Sequence, residues 1–253
     1  MRRAIMILFI LLPALALAET VHQVQQIELS AEGIDRLEII CGAGSFDLNS
    51  VAGLETIRVA AQIEVEDFKR DALQTFIEDN VRLNLEKRKN KAILRSEIGM
   101  SSMKKEEARI NLSITVPSKL DVKITDASGP IRVKDFGGNL EIDDDSGKIE
   151  IETIIGNVKV NDGSGSIVIE DIKGRVTVKD GSGFIEIYHV EGDVVVADGS
   201  GYIKIRNIDG NITVADDSGD IDIKEVFGNV FIREAGTGEL DVDLVGGKVT
   251  IRE

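Results

Sequence analysis

The sequence predicts an all-β protein, a single-stranded β-helix (β-solenoid) with 18-residue rungs built from two nine-residue units. Three observations predict it. The tetrapeptide Asp-x-Ser-Gly recurs six times at a constant spacing of eighteen residues, and a frayed seventh copy reads Glu234 to Gly238. Glycines fall every nine residues from Gly129 through Gly138, Gly147 and Gly156 to Gly228. Tryptophan is absent and Gly greatly outnumbers Pro, which suits short strands joined by tight turns. A fixed period with one strand–turn unit per copy is the signature of a solenoid.

Taken in order, the chain begins with residues that read as an export signal, 1–18. Arg2 and Arg3 precede the apolar run Ile5 to Leu12, and Ala16-Leu17-Ala18 forms a small-x-small cleavage site. The run is too short to span a bilayer comfortably, so the reading is a soluble product in the periplasm or secreted, with no membrane insertion after cleavage. The formal charge of −15 repels phosphate backbones and argues against nucleic acid as a partner. Cys41 is the only cysteine, so no internal disulfide can form, and its apolar strand end points to a buried structural thiol.

Residues 19–118 read as a β-rich capping segment. Gln26 to Leu29 and Leu37 to Cys41 alternate as strands, and Gly44 to Gly53 already matches the later nine-residue unit, as if the solenoid began there and were interrupted. The interruption holds one short helix near 67–80. Asp67 is its N-cap, Phe68, Ala72, Leu73, Phe76 and Ile77 share one face, and Asn80 stops it. Such a stripe can close the open end of a stack, which suits repeats that need a cap, or bind a partner. Val81 to Leu85 and Ala92 to Leu94 form strands around the basic turn Lys87 to Lys91. Met100 to Glu107 is a polar loop, and the strand Arg109 to Val116 is ended by Pro117.

Residues 119–253 are the repeats. With Gly147 as zero, Ile149, Ile151, Ile154, Val158 and Val160 occupy five apolar slots that recur in copy after copy. Alternation turns these side chains inward, giving two main strands and a corner residue per rung. The polar positions form a turn ladder: Asp126, Ser128 and Gly129; Asp144, Ser146 and Gly147; Asp162, Ser164 and Gly165; Asp180, Ser182 and Gly183; Asp198, Ser200 and Gly201; Asp216, Ser218 and Gly219. Each Asp is expected to accept from the backbone N–H and hydroxyl of its Ser, while the Gly supplies a positive φ. At the opposite corner Asn139, Asn157, Asn211 and Asn229 suggest a partial asparagine ladder, interrupted by Arg175 and Asp193.

Six stacked aspartates need their charge offset, by backbone donors or by Ca²⁺. The repeat lacks the doubled glycines of calcium-binding β-roll nonapeptides, so turn capping is the expected role, with no metal and no cofactor. His22 and His189 are the only histidines, too few for a Ser–His nucleophile in every turn or for a zinc centre. No catalytic set is therefore expected. One outward feature departs from the polar norm: Phe184 and Tyr202 in successive rungs, with Tyr188 and Val168 nearby, form a candidate partner-binding surface or a simple cross-rung stack.

The leader, the strand ending at Val116-Pro117 and the reiterated Ser-Gly-x-Ile-x-Ile and Gly-Asn-Val-x-Val units together resemble the bacterial "putative adhesin" β-solenoid domains, a family of domains of unknown function. The resemblance covers roughly residues 35–253. It implies a binding or scaffolding module of the cell envelope whose partner is an envelope protein or a glycan, and it carries no catalytic residues. The chain ends on the strand Val249 to Ile251, whose edge invites end-to-end self-association. The alternative is a polysaccharide lyase or hydrolase, since β-helices host such enzymes, but the rungs run from Asp126 to Gly228 without the insertions that build a catalytic groove.

Overall fold

The computed structural model describes residues 20–66, 68–99 and 108–252. The export signal, the Asp67 cap and the 100–107 loop lie outside the described residues. The first strands are β1 (Val21–Ser30), β2 (Arg36–Ile40), β3 (Phe46–Val51) and β4 (Thr56–Val65). A single 3₁₀ turn at Arg70–Ala72 leads into α1 (Leu73–Asn80), the hairpin β5 (Val81–Arg88) and β6 (Lys91–Ile98), and then β7 (Ala108–Pro117).

From there the chain alternates between two eleven-stranded sheets. Sheet B receives β8 (Asp121–Asp126), β10 (Leu140–Asp144), β12 (Val158–Asp162), β14 (Val176–Asp180), β16 (Val194–Asp198), β18 (Ile212–Asp216), β20 (Val230–Ala235) and β22 (Val249–Ile251). Sheet A receives the intervening strands: β9 (Ile131–Phe136), β11 (Gly147–Ile154), β13 (Gly165–Ile172), β15 (Gly183–Val190), β17 (Gly201–Ile208), β19 (Gly219–Val226) and β21 (Leu240–Val245). Neighbours in the repeats are parallel and eighteen residues apart, as in Ile167↔Ile185 and Val178↔Val196. A bulge opposite Val214/Ala215 then shifts the last rungs to a nineteen-residue spacing, as in Ile221↔Leu240 and Val230↔Val249. As far as Ile232 the five apolar slots face the space between the sheets and are fully buried, so each rung stacks its mostly β-branched side chains on those of the next.

Chain order and stacking order part company at the start. The rung β2–β3 lies between β6–β7 on one side and β8–β9 on the other. The interruption expected after Gly53 thus does not sit between rungs; residues 56–117 fold back and supply a rung on the far side of the first one. Beyond it the parallel pattern stops. Strands β4 and β1 add to sheet A and β5 adds to sheet B, all antiparallel.

The helix is shorter than the 67–80 span read from the sequence. Its α-helical part begins at Leu73, after the 3₁₀ turn at Arg70–Ala72, and Ala72 at the N-cap offers no side-chain acceptor to the first N–H groups. Leu73 and Ile77 join the core, and the rings of Phe68 and Phe76 pack 5.2 Å apart. At the opposite end Val249 and Ile251 are exposed in inward slots, since no described strand lies over them, whereas Leu244 is exposed at the outward positive-φ corner, as Glu225 is one rung earlier.

Candidate functional site

Each rung turns twice, and polar chemistry collects at both turns. At the turn from sheet B into sheet A, period two decides where the aspartate points. Val158 and Val160 face inward, so Asp162 faces inward too. The same holds in six rungs, and Asp126, Asp144, Asp162, Asp180, Asp198 and Asp216 are 1–8 % exposed. They pair in register, rung to rung, as one column. At one end Asp216 lies beside Ala235. At the other, the threading of β2 and β6 extends the column with Cys41, whose N–H donates to Thr125 O (3.0 Å), and then with the buried Ser96. The sequence reading missed this extension, because neither residue belongs to an eighteen-residue repeat. Cys41 is half-buried rather than buried, and burial followed by the charge of Asp126 pushes its thiol well up.

The expected turn capping is only partly made. Ser164 N donates to Asp162 Oδ1 at 3.3 Å and Ser218 N to Asp216 Oδ1 at 3.2 Å. The other ten of the twelve carboxylate oxygens are buried without a hydrogen-bond partner. Turn N–H groups lie near enough to favour the charged forms, yet burial outweighs them. It pushes Asp126 and Asp198 up to about 6, and Asp144 and Asp162 to about 7, with neighbouring column aspartates adding to the last three. Asp180 and Asp216 are raised by the same burial. The hydroxyl of Ser218 donates to Gly199 O (3.3 Å) and not to an aspartate. The glycines behave as expected: Gly165 has φ +144°, and a Cβ there would lie 1.8 Å from Gly147 O. An open groove of about 660 Å³ runs along this corner, lined by Cys41, the first four column aspartates, Asp143, Asp145 and Lys179.

At the turn from sheet A into sheet B the polar groups satisfy one another. Asn157 donates through both its backbone N–H and Nδ2 to Asn139 Oδ1 (3.0 and 3.1 Å), and Asn229 does the same to Asn211. Asp121 and Asp193 are acceptors in this ladder, so Asp193 continues it where the sequence suggested an interruption. The preceding corner residues, including Asp171 and His189, take positive φ. His189 Nδ1 lies 3.3 Å from Asp171 Oδ1 beside Glu170, all three exposed. His22 faces solvent on β1.

The outer face of sheet A carries the aromatic residues. Phe184 and Tyr202 stack with ring centroids 5.5 Å apart and planes 12° from parallel. Tyr188 sits two outward columns over, with the Glu186–Lys204 column between; Lys204 lies 5.2 Å from its ring, and the Tyr188 hydroxyl bonds to Glu186. The Lys204–Glu186 ion pair (2.8 Å) and the Arg206–Asp222 pair run through the same rungs, and Tyr202 donates to Asp222 (3.3 Å). Val168 pairs in register with Glu186, not with an aromatic residue. The structure therefore brings Phe184 and Tyr202 together and sets Tyr188 and Val168 apart from them. All four are half-buried.

The sequence profile described as Toastrack DUF4097 matches residues 34–248. Among solved structures, a "putative lipid binding protein" from Parabacteroides distasonis is 16 % identical, with a TM-score of 0.51, covering 91 % of this chain and 97 % of its own. A "putative adhesin" from the same organism is 13 % identical (TM-score 0.45), covering 90 % of this chain and 97 % of its own. Another from Bacteroides fragilis is 15 % identical (TM-score 0.38), with the same two coverages. At 16 % identity the first of these likenesses is one of fold alone. No curated protein matches the sequence. No helix among the described residues is long and apolar enough to cross a membrane.

Proposed function

This chain belongs to the Toastrack DUF4097 family, and from that premise we propose that it is a non-enzymatic binding or scaffolding module of the bacterial cell envelope. Residues 1–18 are its export signal in this reading, and the product acts in the periplasm or outside the cell. The observation that carries the proposal is the stacked pair Phe184–Tyr202 on the outer face of sheet A, held in a frame of ion pairs. Aromatic rings fixed on a flat, stiff sheet lose little entropy on contact, which favours them as anchors for a protein or a sugar ring. The Lys204–Glu186 and Arg206–Asp222 pairs around them give a partner polar groups to bond at the rim.

Non-enzymatic action is the reading because the described polar groups that repeat do so in equal copies, as a fold requires and a single active site does not. Neither histidine is set against a serine as a nucleophile's base would be: His189 lies against Asp171, and His22 faces solvent.

The test is a photoreactive aromatic amino acid at position 202 in the native cell, with the exposed sheet B position 179 as control. A discrete adduct at 202 alone is expected, and mass spectrometry then identifies the partner. Equal adducts at both positions, or none, would overturn the assignment of this face. Turnover of an acidic polysaccharide by the purified protein would overturn the non-enzymatic reading separately.

A further inference from the structure

We infer that the buried aspartate column is a divalent-cation site that takes Ca²⁺ in the gaps between consecutive rungs. Asp126, Asp144, Asp180 and Asp198 are each at least nine-tenths buried, and both oxygens of each lack a partner. A carboxylate so placed is costly unless a positive charge reaches it. Among the described residues, no lysine or arginine forms an ion pair with any of the six: the groove-lining Lys179 is exposed and lies within ion-pair reach of none of them, and Lys123 is engaged by Asp143 (2.6 Å) and Glu141 (3.3 Å). The charge of the column is therefore left for something outside the chain to offset.

The spacing selects the ion. Parallel rungs lie about 4.8 Å apart. Calcium binds oxygen at roughly 2.3–2.6 Å, so an ion midway between two stacked carboxylates touches both. Magnesium, at roughly 2.0–2.1 Å, falls short of one of them, and an all-oxygen donor set is a poor match for zinc. Six single negative charges are balanced by about three Ca²⁺ ions. Occupying alternate gaps (Asp126/Asp144, Asp162/Asp180 and Asp198/Asp216) keeps the ions about two rungs apart and limits their mutual repulsion. The groove beside the first four aspartates gives a path from solvent, and the acids Asp143 and Asp145 at its edge draw cations toward it. This inference is independent of the aromatic face.

The experiment uses the whole mature protein, stripped with EDTA at pH 7.5 and titrated with CaCl₂ by calorimetry, with thermal melts in parallel. Saturable uptake of about three ions is expected, with a rise in Tm of roughly 5–10 °C at a concentration about 100-fold above Kd. MgCl₂ at equal ionic strength should give a much smaller rise. Asp162→Asn should remove about one ion and part of the Tm rise, while the outward pair Asp143→Asn/Asp145→Asn keeps both. Equal melting in Ca²⁺ and EDTA would overturn the inference. So would a response lost only in the outward pair, which would mark surface binding. Should Asp162→Asn fail to fold, Asp198→Asn carries the same test, and the melts of the unaltered protein stand alone.

Discussion

Asp193 and Asp198 sit five residues apart in one rung, at its two different corners. Asp193 is partly exposed; its Oδ1 receives Asn211 N (3.0 Å) and Nδ2 (3.2 Å), and its Oδ2 receives Arg175 Nη2 (2.8 Å). Those bonds, the backbone one first, hold its carboxyl below the usual range. Asp198 is 6 % exposed with neither oxygen partnered, and burial pushes it up to about 6, with Asp180 and Asp216 adding to the shift. The residue type is the same and the backbone repeat is the same. What differs is whether alternation points the side chain along the rim, where the next rung supplies donors, or between the sheets, where the next rung supplies another carboxylate.

The largest effect expected at either corner comes from closing the room that the buried one needs. Gly183 has φ +143°, and a Cβ there would lie 1.8 Å from Gly165 O. Gly183→Ala must both leave that φ and push adjacent rungs apart, so a loss of about 4 kcal/mol or more is expected, and circular dichroism should show a protein that no longer folds cooperatively. A mild, reversible loss would mean that the rungs are less tightly stacked than this corner implies.

Next in size is the pH dependence. Column aspartates have folded values raised above the ordinary 3.8, so the folded state holds more protons than the unfolded one between about pH 4 and pH 7. Their contribution to stability is fully present below the unfolded value and is lost as pH rises through the folded values. In EDTA the protein should therefore be less stable at pH 8 than at pH 5, by on the order of 3 kcal/mol in urea titrations. Acids with lowered values, such as Asp193 and Glu141, work the other way, losing stability only as the solution is acidified below the ordinary carboxylate range. A flat or rising profile from pH 5 to 8 would show that the buried corner is neutralised in some other way.

How much of this contrast can be read from the sequence follows from what repeats. The eighteen-residue period places Asp162 on Asp180 and Asn139 on Asn157, and period-two alternation places Ile169 and Val178 inside, so fold, rung length and both ladders are legible. Position within a repeat does not tell whether Asp-x-Ser-Gly has its donors within bonding reach, since that depends on a few tenths of an ångström at each turn. Nor could Cys41 and Ser96 be placed on the column, because the rung holding Cys41 is stacked between two that come later in the chain. The aromatic face was half legible: the repeat aligns Phe184 with Tyr202, but the ion pairs that separate Tyr188 from them depend on side-chain reach.

A single isosteric change sharpens the comparison further. Asp162→Asn keeps an oxygen for Ser164 N and removes one unpartnered negative charge from the column. In EDTA at pH 7.5 the variant should be more stable than the parent by about 1–2 kcal/mol, and at pH 5, where the parent is protonated, the difference should vanish. Destabilisation at both pH values would mean that the turn needs both carboxylate oxygens of Asp162, not only the one that accepts from Ser164 N.

The smallest effect is expected from the same substitution at the other corner, and it is the control that gives the first its meaning. Asp193→Asn retains an acceptor for both Asn211 donors and loses only the ion pair with Arg175, whose side chain is 60 % exposed. Exposed pairs are worth little, so stability should fall by no more than about 0.5 kcal/mol, equally at pH 5 and pH 8. Asp193→Ala, which removes the acceptor as well, should cost about 1 kcal/mol, again without pH dependence in that range, because the Asp193 carboxyl is already ionised there. The measurement is urea unfolding of both variants at the two pH values. If Asp193→Asn altered the pH profile as Asp162→Asn is expected to, inward direction would not be what distinguishes the two aspartates, and total charge along the solenoid would have to take its place.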